Sequence, residues 1–505
     1  MIASSTTGKI QGFDKDGVVQ FRGIRYATAE RFRAPRPVDP WDDVYDATTF
    51  GAPAPQNPSP LESMLSAPPV EGNEDCLFLN VYTPAVDDGA RPVMVWIHGG
   101  AFTAGQGSTP WYSGSRLASQ GDVVVVTINY RLGALGFLHL DSVLGAGFEG
   151  SGNNGIRDQI AAIQWVKDNI AAFGGDPGHI TIFGESAGGM SVGTLLGTPG
   201  VPELLTGAIA QSGAADHAKS LDDAQQVTSI VLDELGVVSS GADALLALPV
   251  DALLAAQLSA STRLAEVTGL GLGFSPVVDG VVLPQPPIDA IRAGSAANVS
   301  LLAGTTAEEW NLFHLIDRAS GPMDEIRLER RLAKSVGDRA SDVIAAYRDE
   351  APSASNDDLW CAIATDWVFR IPAVRLLEAQ SPHQPSTYSY VFSYKSTAFD
   401  GALGACHAVE IPFAFDNVDR RGVNFFLGQV DDGTRALSTA VSRAWTAMAR
   451  NGSPDHDGIP GWPPYSDASR AVMELGPTIR ILDDPGSGPR RLWAELWSST
   501  RGVRT

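Results

Sequence analysis

The segment at residues 181–190 constrains the fold of this chain more than any other, and it reads Thr-Ile-Phe-Gly-Glu-Ser-Ala-Gly-Gly-Met. β-Branched and aromatic residues precede Gly184, whereas small and apolar residues follow Ser186 as far as Leu196. This pattern predicts a buried strand, a sharp turn and a helix. Such a turn exposes the hydroxyl of its central serine, and only small neighbours tolerate the crowded backbone. Ser186 is therefore a candidate catalytic nucleophile.

Apolar, β-rich runs recur along the chain and alternate with segments of helical periodicity, such as residues 156–173. The runs lie at residues 93–97, 123–128, 180–183, 208–210, 299–303 and 388–392. Strands that alternate with helices are typical of α/β folds, in which helices cover both faces of the sheet. We therefore predict an α/β fold with a mostly parallel central sheet flanked by helices.

Two further segments, 216–270 and 314–380, have helical patterns and lie between predicted strands rather than beyond them. On length alone, 505 residues would suit roughly two to four domains. Because the helical segments interrupt one series of strands, we predict a single catalytic domain over residues 1–505 with these segments as insertions.

The charge and composition of the chain exclude several classes of function. A net charge of −22 disfavours binding to nucleic acid or to anionic membrane surfaces. The chain has no run of about 18 apolar residues, so we predict no transmembrane helix. Its first residues lack a basic segment followed by an apolar one, so we expect no secretory signal. The histidines lack His-Glu-x-x-His spacing and the cysteines lack Cys-x-x-Cys spacing, so we expect no metal site and no cofactor.

A catalytic serine needs hydrogen-bond donors for the oxyanion that forms on its substrate. The predicted strand at 93–97 runs directly into His98-Gly99-Gly100-Ala101-Phe102. Small residues after a strand allow backbone N–H groups to approach a substrate, as in the His-Gly-Gly type of oxyanion loop. The N–H of Ala187, directly after the nucleophile, is expected to be a further donor.

The serine also needs a histidine as base and an acid that orients the histidine. In proteins with this turn the acid follows the serine along the chain, and the histidine follows the acid. The histidines after Ser186 are His217, His314, His383, His407 and His456. His407 is favoured because it follows the predicted strand at 388–392 by a loop. For the acid, Glu308 and Glu309 both follow the strand at 299–303, and the residues alone do not choose between them.

Taken together, these motifs resemble the type-B carboxylesterase family, relatives of the cholinesterases. The resemblance covers nearly the whole chain and is carried by segments that occur in the family's order. These segments are 21–27, 74–81, 129–131, 154–159, 173–177, 211–213, 276–280 and 462–463. The resemblance implies an α/β-hydrolase fold with helical insertions over the active site.

The resemblance also implies roles for individual residues. Glu309, five residues after Gly304, is similar to the family's triad acid, and His407 is similar to its histidine. The implied oxyanion donors are the backbone N–H groups of Gly100, Ala101 and Ala187. Ala101 in the His-Gly-Gly-Ala-Phe segment resembles bacterial members of the p-nitrobenzyl esterase type. The pairs Arg131 with Asp158 and Arg31 with Glu74 resemble structural ion pairs of the family.

Two departures from the family pattern are informative. Secreted relatives join the cysteine equivalent to Cys76 to an upstream cysteine, but this chain has Ala54 at that upstream position. A free Cys76 thiol and a sparse, odd number of cysteines favour a reducing compartment, so we expect a cytoplasmic protein. At residue 408 the chain has alanine where the family usually has glycine.

The function expected from these residues is hydrolysis of small-molecule carboxylic esters through an acyl-enzyme on Ser186. An amidase, lactonase or transesterase that uses the same triad is the first alternative, because these reactions share an acyl-enzyme. A non-catalytic binding member of the fold is the second. Phe102, Trp310 and Phe313 are candidates for lining the substrate pocket, although aromatic residues near such sites are as often part of the core.

Overall fold

A large central sheet dominates the fold. The computed structural model describes residues 1–59, 71–237, 242–268, 272–317, 321 and 323–500. Within these residues the strands are β1 Ile2–Ser5, β2 Gly8–Gln11, β3 Phe13–Lys15, β4 Val18–Arg25, β5 Ala27–Thr28, β6 Arg36–Pro37, β7 Tyr45–Asp46, β8 Phe78–Thr83, β9 Arg91–Ile97, β10 Val124–Ile128, β11 Gly175–Glu185, β12 Gly207–Gln211, β13 Ser300–Thr306, β14 Thr387–Phe392, β15 Ala471–Leu475 and β16 Arg480–Asp483.

Eleven of the described strands form the central sheet, in the order β16-β15-β14-β13-β12-β11-β9-β10-β8-β4-β3. Neighbouring strands run parallel from β15 through to β10 and antiparallel at both edges of the sheet. The central strands β10 and β12 are buried at every position. A sheet covered on both faces explains why these strands are continuous apolar runs in the sequence. The predicted mostly parallel sheet is confirmed.

Helices flank the sheet and fill the segments between its strands. They are α1 Ser115–Gly121, α2 Gly133–Phe137, α3 Asp141–Leu144, α4 Asn154–Asn169, α5 Ala187–Leu196, α6 Leu221–Leu235, α7 Ala242–Ala247, α8 Val250–Thr268, α9 Pro287–Arg292, α10 Trp310–Asp317, α11 Glu325–Val336, α12 Ala340–Glu350, α13 Asn356–Thr365, α14 Ile371–Gln380, α15 Ile411–Ala414, α16 Val423–Leu427, α17 Asp432–Asn451 and α18 Ser487–Thr500. Helices therefore occupy the described parts of 216–270 and 314–380, and the single-domain organisation stays a prediction.

The core around the sheet lies in two layers, one on each face, and a third hydrophobic cluster packs between helices of residues 323–371 and helix α18. Strand β9 shows this alternation directly, because successive side chains of a strand point to opposite faces. Its residues Val93, Val95 and Ile97 belong to one hydrophobic cluster, whereas Met94 and Trp96 belong to the other. All five are fully buried. The sheet therefore holds the carboxyl end of β9, where the His98–Phe102 loop begins, in a fixed position.

Both ion pairs implied by the family resemblance form. The guanidinium of Arg131 donates from Nε and Nη2 to the two oxygens of Asp158 at 2.7 Å each, and both side chains are buried. Arg31 donates from Nε to Glu74 at 2.8 Å at a more exposed position. The buried pair ties the segment after β10 to helix α4.

Candidate active site

Ser186 lies at the junction of strand β11 and helix α5. Its backbone has φ 57° and ψ −124°, a conformation that residues with a side chain seldom adopt. The Ser186 N–H donates to the Gln211 carbonyl at 2.9 Å, and the Ser186 carbonyl accepts from Met190 N–H at 2.8 Å. Ser186 is half-buried, whereas Glu185 and Ala187 on either side are buried. The strained turn therefore leaves Ser186 partly exposed, although its neighbours in sequence are buried.

The glycines of the pentapeptide allow strand β9 to approach this turn. A Cβ atom at Gly184 would lie 2.6 Å from the Ile97 carbonyl oxygen, and one at Gly188 would overlap the same oxygen. A Cβ at Gly99 would lie 3.0 Å from the Cβ of Ser186. The end of β9 and the loop that follows it are thus packed directly against the serine.

The loop after β9 has an unusual backbone at the three positions that follow Gly99. Gly100, Ala101 and Phe102 have φ of 103°, 55° and 58°. The Gly100 carbonyl accepts N–H groups of the next turn, from Thr103 and Ala104 at 3.0 Å each. A carbonyl engaged in this way is fixed in direction, and it fixes the direction of the peptide N–H that follows it.

His98 supports this loop from within the core. Its Nδ1 lies 2.8 Å from the Gly99 carbonyl oxygen, and its ring stacks on Tyr130 with centroids 4.5 Å apart. The Tyr130 hydroxyl donates in turn to the His98 carbonyl at 2.8 Å. Burial lowers the pKa of His98 to about 4, so the ring is neutral at physiological pH.

His407 and Glu309 meet in the interior. The Nδ1 of His407 lies 2.6 Å from Oε2 of Glu309, and the side chains are 1% and 0% exposed. The other oxygen of Glu309 accepts the Thr306 N–H at 2.8 Å. The backbone N–H of His407 donates to the Glu309 carbonyl at 3.2 Å. The geometry thus separates the two candidate acids, since Glu308 instead contacts Lys395 and the backbone of Ala405.

The imidazole also faces Phe313, which the sequence indicated as a pocket candidate, and two residues that it did not indicate, Glu185 and Phe369. His407 Nε2 lies 3.2 Å from Oε1 of Glu185, and among the described residues this nitrogen has no hydrogen-bond partner. The rings of Phe313 and Phe369 approach the imidazole with centroid distances of 5.1 Å and 4.7 Å. Phe369 lies in a π-helical turn over Asp366–Arg370, and no motif points to it from the sequence.

A third carboxyl group, Glu410, is buried close to these residues. Burial, followed by the charges of Glu185 and Glu309, raises the pKa of Glu410 well above its usual value. Its Oε1 is 3.4 Å from the amide nitrogen of Gln211, whose oxygen accepts the Trp445 indole N–H at 2.9 Å. The sequence shows that Glu410 follows His407 by three residues, but it does not show that Glu410 is buried.

A model of the carboxylesterase family matches residues 1–487. The chain belongs to the carboxylesterase family. The resemblance seen in its motifs is therefore confirmed, and the protein is a carboxylic ester hydrolase.

Individual carboxylesterases match this one over nearly their full length. The present chain is 38% identical over 500 residues to the para-nitrobenzyl esterase of Bacillus subtilis (strain 168), and the alignment covers 97% of this chain and 98% of that protein. It is 35% identical over 490 residues to the phenmedipham hydrolase of Pseudarthrobacter oxydans, covering 94% and 95%. The crystal structure of the Geobacillus stearothermophilus carboxylesterase EST55 superimposes with a TM-score of 0.88 at 39% identity, covering 97% and 99%. The α/β-hydrolase fold is thereby confirmed.

Three of the other histidines that follow Ser186 in this carboxylesterase have partners elsewhere in the structure. His314 pairs with Asp357 at 3.3 Å, and His383 and His456 contact backbone carbonyls at 2.8 Å and 3.0 Å. Among the aromatic candidates, Phe102 is fully buried against Phe137, so it belongs to the core.

A cavity of about 520 Å³ lies between helix α10 and the start of helix α13. Its lining residues are Asn311, His314, Leu315, Gly321, Ser355, Asp357, Asp358, Cys361 and Ala402.

Over the described residues of the carboxylesterase, no cluster of His, Cys, Asp and Glu is arranged to hold a metal ion. None of the helices in the same ranges combines the length and apolar character needed to span a bilayer.

Proposed function

We propose that Ser186 is the nucleophile of this carboxylesterase, that His407 is its general base and that Glu309 orients the histidine. The observation that supports this assignment best is the 2.6 Å contact of Glu309 with His407 Nδ1. A carboxylate on Nδ1 fixes the tautomer in which Nε2 carries the lone pair. Nε2 is then the atom that accepts the Ser186 proton when the hydroxyl attacks the ester carbonyl.

The tetrahedral intermediate of this reaction carries an oxyanion, and we assign its binding to the N–H groups of Gly100, Ala101 and Ala187. Ala187 is the first residue of helix α5, where the N–H has no preceding helical carbonyl to bind. Gly100 and Ala101 follow Gly99, which packs against Ser186. Loss of one such donor typically costs about 3–4 kcal/mol of transition-state stabilisation.

His407 then acts twice more in the proposed cycle. It gives the proton to the leaving alcohol, and the acyl group stays on Ser186. It next takes a proton from water, which attacks the acyl-enzyme and releases the carboxylic acid. The contact of Nε2 with Glu185 is compatible with this role, because catalytic hydrogen bonds often form fully only when substrate is bound.

The experiment for this proposal is hydrolysis of p-nitrophenyl acetate by the wild type and by Ser186→Ala. We expect the variant to lose turnover by several orders of magnitude while it stays folded, because no other group replaces the hydroxyl. Near-normal turnover by the variant would remove Ser186 from the mechanism.

An amidase, lactonase or transesterase reaction on the same triad is the alternative function, since all of these pass through an acyl-enzyme. The family membership favours esters. The ratio of kcat/KM for an ester and an amide with the same acyl group decides between them, and we expect the ester to be preferred.

We propose that the substrates are small esters with an aromatic group. The similarity to a para-nitrobenzyl esterase supports this, and so do the rings of Phe313 and Phe369 beside His407. A panel of benzyl and simple alkyl esters that share the same acyl groups tests it. Equal kcat/KM for benzyl and simple alkyl esters would contradict an aromatic preference.

We further propose a cytoplasmic location. Cys76 is a free, buried cysteine, and Ala54 is buried at the position where secreted relatives supply a partner. Burial raises the pKa of the Cys76 thiol, which keeps it protonated and inert. Release of esterase activity on osmotic shock of intact cells would contradict this location.

A further inference from the structure

The loop that carries His407 is held by two consecutive glutamates. Glu309 contacts the imidazole, as described above, whereas Glu308 contacts the backbone two residues earlier. Oε2 of Glu308 accepts the N–H of Ala405 at 2.8 Å. The backbone N–H of Glu308 donates to the Ala405 carbonyl at 2.9 Å. Both polar groups of the Ala405 backbone are therefore bound to one residue.

The other oxygen of Glu308 faces a cation. Its Oε1 accepts from Nζ of Lys395 at 2.8 Å, and the two side chains are 34% and 68% exposed. An ion pair as exposed as this contributes little by itself. A hydrogen bond from a backbone N–H to a carboxylate is stronger than one between neutral groups. The bond to Ala405 is thus the main contact of Glu308.

The same loop has positive φ at both ends, which glycine adopts readily and a residue with a side chain does not. Gly404 has φ 56°, and a Cβ atom there would overlap Oε2 of Glu308. Ala408 has φ 68°, a conformation that favours glycine. A residue with a side chain keeps such a conformation only when its surroundings hold it there. The chain therefore needs contacts that hold the loop next to His407.

We propose that Glu308 is a positioning residue for His407, acting through its hydrogen bond to the Ala405 N–H. It fixes the backbone two residues before the imidazole and so sets the distance of Nε2 from Ser186. This inference rests on the proposed role of His407 as the general base. Small displacements of a catalytic group are expensive, since about 1 Å can cost about 100-fold in rate.

Two conservative variants separate the hydrogen bond from the charge. Glu308→Gln keeps an oxygen at the same reach but loses the charge, whereas Glu308→Asp keeps the charge but is too short to reach Ala405. We expect kcat of Glu308→Gln to stay within about threefold of wild type and kcat of Glu308→Asp to fall about 10- to 100-fold. KM should change little in both, because the residue acts on the base and not on the substrate.

The controls exclude trivial causes of a lower rate. Activity is expressed per active site titrated with a fluorophosphonate, so that loss of folded protein does not count as a lower kcat. Glu474→Ala removes the carboxylate that pairs with Arg480 at 2.6 Å, on strand β15 beside the edge strand β16, and should leave kcat unchanged.

Full kcat in Glu308→Asp would overturn the proposal, and so would equal losses in Glu308→Asp and Glu308→Gln, or a loss confined to KM. Failure of the underlying function is distinguishable, because it would appear as turnover by Ser186→Ala whatever the residue at position 308.

Discussion

At the scale of single residues, the chemistry of the site depends on which atom each carboxylate reaches. Glu309 reaches Nδ1 of His407, Glu185 lies near Nε2, and Glu308 reaches only the backbone of the same loop. Three glutamates thus lie near His407, and each occupies a different position relative to its imidazole ring. In the proposed mechanism, only a carboxylate on Nδ1 leaves Nε2 free to act as a base toward Ser186.

Replacement of Glu309 by glutamine tests this distinction. The amide keeps the size of the side chain but loses the charge that stabilises the imidazolium, and it can hold the wrong tautomer. We expect kcat for p-nitrophenyl acetate to fall roughly 1,000-fold or more, with KM nearly unchanged. A fall of less than tenfold would show that Glu309 does not orient the base.

The pH dependence of stability tests the burial of His98. Its pKa in the folded state, about 4, lies below the usual 6.5, so the unfolded chain binds the proton more readily. The contribution of His98 to the free energy of unfolding is therefore fully present above pH 6.5, and it is lost as the pH falls toward 4. The shift corresponds to about 3 kcal/mol at most. Urea unfolding of His98→Asn between pH 7 and 4 should show a shallower loss of stability than the wild type, and equal slopes would contradict the assignment.

At the scale of elements, the site is built where strand ends meet loops. Strand β11 and helix α5 present Ser186, strand β9 leads into the His98–Phe102 loop, and strand β13 leads to Glu309. These three strands belong to the parallel part of the sheet, so their carboxyl ends lie at the same edge. The close packing of β9 against the serine turn is what holds these groups together.

Addition of a methyl group at the serine turn tests that packing. The Cβ of Gly188→Ala would overlap the Ile97 carbonyl oxygen, and neither backbone can move without distorting the sheet. We expect a loss of about 1–3 kcal/mol or more in the free energy of unfolding, together with loss of activity. Gly461→Ala is the matched control, since no atom lies within 4 Å of the added Cβ. Equal stability of the two variants would contradict the close approach.

The sequence predicted those parts of the site that depend on local pattern. The serine turn and the His98–Phe102 loop each follow a strand, as the pattern of apolar and then small residues predicts. The contacts of Glu185 and Phe369 with His407 were not predictable, because they join segments that are distant in sequence. Strand β11 also starts at Gly175, before the apolar run, because it pairs with Arg91 across an irregularity in register.

At the scale of the whole molecule, buried polar contacts fix segments that lie far apart in sequence. The pair between Arg131 and Asp158 is the clearest example, with side chains 4% and 0% exposed. Arg131 also donates to the Arg33 carbonyl at 2.6 Å, so this one residue connects the N-terminal region, the centre of the sheet and helix α4. The predicted single domain would unfold as one unit if such contacts extend throughout.

Removal of one partner of this pair tests its contribution. Asp158→Asn leaves the Arg131 charge buried without its counter-ion, and we expect the free energy of unfolding to fall by about 3–5 kcal/mol. The control is Asp289→Asn, which removes a half-exposed partner of Arg292 and should have little effect. Calorimetry measures both variants, and a small effect at Asp158 would refute the scaffold role.

Every catalytic role proposed here depends on an acyl-enzyme that forms on Ser186. Labelling with a fluorophosphonate, followed by peptide mass spectrometry, tests it most directly because the probe forms a stable adduct with an activated serine. We predict one adduct per chain on the peptide that contains Ser186, and none in Ser186→Ala or after competition with an ester substrate. An adduct on a different residue, or undiminished labelling of Ser186→Ala, would contradict the account.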